Sequence, residues 1–232
     1  MKTKESFLRM IHQYGRLSVA MTAFLLFCSC ETDSYDTGDG NFSYLNADFV
    51  IAHTAGEKEI DYAVNDDDEK ILLKPHVTAQ WATTPDSLYR ALLYYNKVKK
   101  DGEGMRAFRI SQVHVLQPKD RRDIENIITD PLTLQSVWMS HNGKYLNMGL
   151  DVKTGKPDEP DRRQLIGVMR DTTITAADGM THVYLRLLHN QNDVPEYYTS
   201  TTYASIPLTD SLRRARIHLL VNTYNGEIEK VF

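Results

Sequence analysis

The chain offers almost no sulfur chemistry: it has two cysteines, Cys28 and Cys30, in 232 residues. Both lie near the N-terminus, so neither a disulfide framework nor a thiolate metal site can be built further along. No apolar stretch is long enough for a spanning helix. Leu17 to Phe27 covers about 11 residues, where a bilayer core needs roughly 20. A basic surplus is also missing. Lys and Arg number 27 against 31 Asp and Glu, a formal net charge of −4, which argues against nucleic acid or anionic lipid as partners. There is no Gly-x-Ser-x-Gly elbow and no His-Glu-x-x-His pair, and Gly102-x-Gly104 is not followed by the Lys-Ser/Thr of a phosphate loop. No internal repeat is present, and helical periodicity is nearly absent. The expectation is a protein with no catalytic residue, no cofactor and no metal site.

What is present begins with an address. Lys2, Lys4, Arg9 and Arg16 precede the apolar segment Leu17–Phe27, and Leu25-Leu26-Phe27-Cys28-Ser29-Cys30 ends it. A segment of this length is a cleaved signal's apolar region. Cleavage before Cys30 puts Ser29 at −1 and the bulky Phe27 at −3, which suits a lipoprotein peptidase better than the ordinary one. Residues 1–29 are therefore expected to be a lipoprotein signal peptide and Cys30 the lipidated residue. Several acyl chains hold a protein stably on a membrane where one alone does so weakly. The expected location is the bacterial cell envelope, lipid-anchored at the outer membrane, periplasmic or surface-exposed. Residues 30–43 follow as an acidic tether, Glu31, Asp33, Asp36 and Asp39 spaced by Thr, Ser, Tyr and Gly, too poor in apolar surface to order itself.

From about Tyr44 onward, short alternating apolar runs separated by turn residues predict an all-β protein. Ile71–Val77, Leu88–Val98 and Ala107–Leu116 read as strands. Asp101-Gly102-Glu103-Gly104 reads as a hairpin loop. The phase of the last strand changes near Ser111-Gln112, which suggests a bulge or a twisted strand. About five strands in residues 44–118 suit a small OB-like barrel. Residues 119–132 read as a connector in which Asp120 could cap a turn or two of helix over Arg121–Ile128. Residues 133–232 read as an antiparallel β-sandwich. Its strands are expected at Leu134–Ser140, Lys144–Val152, Gln164–Arg170, Thr181–His189, Tyr197–Ile206, Arg216–Tyr224 and Ile228–Phe232. His141-Asn142-Gly143 joins the first two.

Five features invite chemistry. The acidic run Asn65-Asp66-Asp67-Asp68-Glu69 could bind calcium, but it lacks the spacing and the glycine of a calcium loop and reads as a solvated loop. His182 and His189 share a strand yet, seven apart, face opposite sides. Tyr94, Tyr95, Lys97, Lys99, Lys100, Arg106 and Arg109 could stack and screen a single nucleic-acid strand, but read as core tyrosines with soluble hairpin-end cations. Trp138 reads as a core anchor of the sandwich. The segment Tyr197-Tyr198-Thr199-Ser200-Thr201-Thr202-Tyr203 has strong β propensity and reads as a half-exposed strand with a face that could meet a partner.

Taken together, the lipoprotein signal with its acidic tether, the small barrel, and then Asp130-Pro131, Val137-Trp138-Met139-Ser140, Tyr145-Leu146-Asn147-Met148-Gly149, Leu185-Arg186-Leu187-Leu188-His189-Asn190 and Ile217-His218-Leu219-Leu220-Val221-Asn222 resemble the NigD-like lipoproteins of Bacteroidota. The resemblance implies an N-terminal OB-type domain and a C-terminal β-sandwich. It carries no catalytic residue over. The expected function is a non-enzymatic envelope lipoprotein that binds or assembles, held to the membrane by its lipid, with an unidentified protein or glycan partner and no nucleic acid. Alternatives are an envelope hydrolase whose site is assembled only in space, and an immunity or accessory protein associated with a bacteriocin.

Overall fold

Strands β1 (Leu45–Gly56), β2 (Glu59–Asn65) and β3 (Lys70–Thr78) form an antiparallel meander. Strand β4 (Leu88–Asn96) returns to pair with β1, and β5 (Ala107–Gln112) pairs with β4. The sheet order is thus β3-β2-β1-β4-β5, and a parallel bridge from Leu73 to Met105 brings its two edges together. That is the connectivity of an OB-type barrel. Val50, Ile60, Leu73, Leu93 and Tyr95 fill its core. The computed structural model describes residues 45–96 and 104–232. The signal segment, Cys30, the acidic tether, Lys97, Lys99, Lys100 and the loop residues Asp101–Glu103 lie outside the described residues.

The phase change at Ser111-Gln112 is a change of sheet rather than a bulge. Strand β5 ends at Gln112, and β6 (His114–Val115) joins a second sheet, where it pairs with β12 (Tyr198–Pro207). That sheet has the order β6-β12-β9-β8, with β8 (Thr133–Met139) and β9 (Tyr145–Thr154). A third sheet, β14-β13-β11-β10-β7, packs against it. It contains β7 (Lys119–Asp120), β10 (Leu165–Thr175), β11 (Thr181–Asn190), β13 (Arg216–Thr223) and β14 (Gly226–Val231). The pairing is mainly antiparallel, with β11 and β13 parallel because the chain crosses to the facing sheet as β12 between them. Leu146, Met148 and Leu150 from one sheet meet Leu185, Leu187, Ile217 and Leu219 from the other, all of them buried. Alternation along β11 and β13 places these side chains on one face.

The capped connector forms as a single 3-10 turn, Arg121–Asp123, with the Asp120 carboxylate accepting from the Arg122 amide. The loop after β8 is a tight turn in which the Gly143 amide donates to Ser140 O at 2.8 Å and Gly143 sits at φ 65°. Side chains with a Cβ disfavour that region. One turn of helix, Asp210–Arg213, capped by Thr209, precedes β13. The sequence reading did not contain it, because one turn is too short for periodicity to register.

Barrel and sandwich belong to one compact unit. The side of β4 facing away from the barrel core carries Arg90 and Leu92, both buried. The Arg90 guanidinium forks onto Asp66 at 2.8 and 2.7 Å and also reaches Asn147 Oδ1 at 3.0 Å and Ser205 Oγ at 3.3 Å. Asn147 Nδ2 donates to the same Asp66 carboxylate at 2.9 Å. The Tyr145 ring lies 4.1 Å beneath the guanidinium carbon. Asp66 and Arg90 belong to the barrel; Asn147, Ser205 and Tyr145 belong to the sandwich. Gly149, two residues beyond Asn147 on β9, lies in a tight spot, since a Cβ there would meet Ser136 Oγ at 2.9 Å and the Tyr203 ring at 3.4 Å.

The acidic run is an exposed turn from Asp67 to Glu69, as read, but its carboxylates are partnered. Asn65 accepts from the Asp67 and Glu69 amides, which shapes the turn. That aims Asp67 at His141 (2.5 Å) and Asp68 at Lys144 (2.7 Å) on the sandwich's Gly143 turn. The Lys144 ammonium and the Asn142 amide hold the Asp68 carboxyl below its ordinary range. Opposite charges brought in from the sandwich offset the like-charge repulsion within this exposed run. One expectation is corrected: Trp138 is not a core residue of the sandwich. It sits on the outer face of β8, edge-on to Phe49 of the barrel at 5.2 Å.

Because the Arg90 side chain is only 1% exposed, removing its partner strands a buried charge. Asp66→Ala is expected to cost about 3–5 kcal/mol, measured as the shift in urea unfolding. A loss below about 1 kcal/mol, the range of a surface ion pair, would show that the clasp is not desolvated.

Candidate functional site

At one end of the sandwich the two sheets part into a cleft of about 500 Å3. Such a volume is within the range of ligand pockets. Val152, Ile166 and Val194 supply its apolar lining. The β9–β12 wall adds the hydroxyls of Thr154, Ser200 and Thr202, and β6 adds the His114 ring. Among the described residues none of these four side chains has a hydrogen-bond partner. The opposite rim is the segment leading into β10, with Arg162, Arg163 and Gln164.

That rim is braced. Arg162 bonds Glu159 at 2.7 Å and Asp193 at 3.0 Å, and the Asn192 amide donates to Arg163 O at 2.8 Å. Gln164 donates to Lys153 O at 2.6 Å, and its Oε1 lies 3.0 Å from Nε2 of buried His189. A wall of unengaged hydroxyls facing fixed cations over an apolar floor suits recognition of a ligand with both polar and apolar parts.

The histidines separate as strand alternation predicts: His189 points into the sandwich, and His182 points out. His182 does not act alone. Its Nδ1 lies 2.8 Å from Nε2 of His218, and Nδ1 of His218 meets the Glu229 carboxylate. With an ionised Glu229 accepting, His218 carries its proton on Nδ1. In the neutral ring Nε2 then accepts from His182, which leaves His182 Nε2 as the outward lone pair. The Tyr184 ring stacks on His218 at 4.3 Å. Sequence reasoning missed this ladder because its members come from three strands, although outward phase on β11 and β13 was readable for two of them. Among the described residues no group of three His, Cys, Asp or Glu side chains could hold a metal ion.

Other candidates are placed elsewhere. Tyr95 is buried, with its hydroxyl donating to Asp48 at 2.7 Å, and burial pushes its pKa up to about 12. It is a core residue, as read, and offers no stacking face. Tyr94 packs with Phe49 and Leu92 beside the sandwich. On the barrel, His53 Nδ1 meets Asp61 at 2.7 Å and Nε2 meets Asp86 at 3.2 Å, while the ring stacks on Tyr62. Tyr197 and Tyr198 are exposed where β12 begins, beside the cleft.

A family model described as the NigD-like C-terminal beta sandwich domain matches residues 112–232. Solved structures share the fold over most of the chain. A NigD-like immunity protein from Bacteroides caccae is 19% identical with a TM-score of 0.61, covering 80% of this chain and 91% of that one. A protein described as toxin-related from Parabacteroides distasonis is 15% identical at a TM-score of 0.57, with coverage of 81% and 92%. One described as a lipoprotein from Bacteroides fragilis is 9% identical at 0.55, with coverage of 81% and 96%. No curated protein matches the chain in sequence.

The His53 cluster sets a pH dependence. The hydrogen bond to Asp61 raises the His53 pKa above 6.5, against the opposing effect of burial. A raised folded-state pKa gives stabilisation that is complete below the unfolded value and lost as pH rises through the folded one. The Tm difference between wild type and His53→Gln is therefore expected to be larger near pH 5.5 than near pH 8.5. An equal difference at both would remove the charged pair from the account.

Proposed function

The chain belongs to the NigD-like family, and from this we propose that it is a non-enzymatic lipoprotein of the bacterial cell envelope that acts by binding a partner. The observation that carries the reading is the sandwich cleft, whose unengaged hydroxyls and braced arginines are recognition chemistry. The Cys30 signal supports a lipid anchor, and the acidic tether supports a body held off the membrane. The Bacteroides fragilis structure, described as a lipoprotein, supports the same address, for which the outer membrane is our assignment. The partner is a protein or glycan met at the cell boundary.

The Glu229–His218–His182 ladder favours a second reading, an envelope hydrolase that uses His182 Nε2 as a base. It would need a nucleophile or water held beside that atom. The Bacteroides caccae structure described as an immunity protein prompts a third, protection against a secreted antibacterial peptide. Loss of resistance on gene deletion would support that role.

Two measurements decide. Cys30→Ser is expected to move the protein from the membrane to the soluble fraction and to abolish labelling by a palmitate analogue; retention with labelling intact would refute the anchor. Crosslinking in intact cells is expected to join partners through Lys153 and Lys156 beside the cleft. Crosslinks confined to Lys58 and Lys70 on the barrel would move the binding site away from the sandwich.

A further inference from the structure

Strand β12 is paired along its whole length on one side and hardly at all on the other. Toward β9 the register runs from Tyr198 to Pro207 without a break. Toward β6 only Ala204 and Ser205 have partners. A residue's N–H and C=O share one edge of a strand, and those of the next residue take the other. The parity is fixed at two points. The Leu208 amide donates to Lys144 O at 2.8 Å, so even-numbered residues face β9. Ser205 O accepts from the Leu116 amide at 2.9 Å, so odd-numbered residues face β6. The N–H and C=O groups of Thr199 and Thr201, and the N–H of Tyr203, therefore point to an edge that no strand covers among the described residues; the Tyr203 carbonyl lies at the end of the β6 pairing, where Ala204 partners His114.

Natural sheets blunt such edges with lysine, proline, bulges or a covering loop. Residues 198–203 read Tyr-Thr-Ser-Thr-Thr-Tyr, with no charge and no proline, and the register there has no bulge. The edge also borders the cleft, because Ser200 and Thr202 line it. A strand laid along the edge would send alternate side chains toward that space. The ionisable residues of the cleft lining are His114, Arg162 and Arg163, with no carboxylate among them. Arg162 is already matched by Glu159 and Asp193, so the Arg163 guanidinium sets the sign.

We propose that β12 accepts an extended peptide as an added strand, and that the peptide carries an acidic side chain directed into the cleft. Main-chain hydrogen bonds to Thr199, Thr201 and the Tyr203 amide provide affinity, and the basic cleft selects the side chain. This rests on the binding reading above and narrows the partner from protein or glycan to an extended polypeptide segment.

The test uses the purified full chain in detergent and three fluorescein-labelled heptapeptides of alternating threonine and valine, with glutamate, glutamine or lysine at the centre. The glutamate peptide is expected to bind tightest, about tenfold over the lysine peptide, and to slow amide exchange at Thr199, Thr201 and Tyr203. Thr199→Pro removes one edge donor without touching the β9 ladder. It is expected to weaken binding by about fivefold to tenfold, while Thr199→Val does not. An unchanged Tm checks that each variant folds. Binding that leaves the three amides unprotected overturns strand addition and keeps the cleft as the site. Preference for lysine overturns the acidic assignment, and failure of all three peptides to bind overturns the proposal. None of these outcomes alters the cellular crosslinking result, which tests the binding reading separately.

Discussion

One buried cation organises this molecule. The Arg90 guanidinium has five donors and almost no contact with solvent, so its position is tolerable only if other groups converge on it. Asp66 supplies a fork from the β2–β3 turn, Asn147 and Ser205 supply oxygens from two strands of the sandwich, and Tyr145 supplies a ring face. Asn147 ties the network shut by donating to Asp66 and accepting from Ser205 at 2.7 Å. Displacing either module by one residue would leave at least one of these groups buried and unmatched. Burial of such a pair need not add net stability, but it specifies one arrangement against the alternatives.

The flanking contacts follow from that docking. Phe49 meets Trp138 and Tyr203 edge-on at 5.2 and 5.7 Å, an apolar seam beside the polar one. Strands β4 and β9 are buried on both faces, one toward their own core and one toward the other module. The sandwich is thereby braced on the outer face of β9 and β12, while the inner faces of the same strands, Val152, Thr154, Ser200 and Thr202, wall the cleft. The barrel thus braces the two strands whose inner faces wall the cleft.

Periodicity made much of this fold legible. Alternation in β11 and β13 identifies the residues of the core, and Asp120 is a readable cap. The segment Tyr197–Tyr203 was singled out by its propensity alone, but only pairing partners could show that one edge is open. The clasp was hidden for a physical reason. Asp67 and His141 are 74 residues apart, and Arg90 and Ser205 are 115 apart. A run of acids gives no local sign of the distant cations that pair with it. Trp138 misled, since an aromatic on a strand gives the same local pattern whether it faces its own core or a neighbouring module. The Glu229–His218–His182 ladder needed three strands in register before its order could appear.

The central claim, that barrel and sandwich are one body locked around Arg90, is tested most directly by scanning calorimetry of the purified full chain. The account predicts one transition whose calorimetric and van't Hoff enthalpies agree. Two separable transitions, with the barrel melting apart from the sandwich, would contradict it.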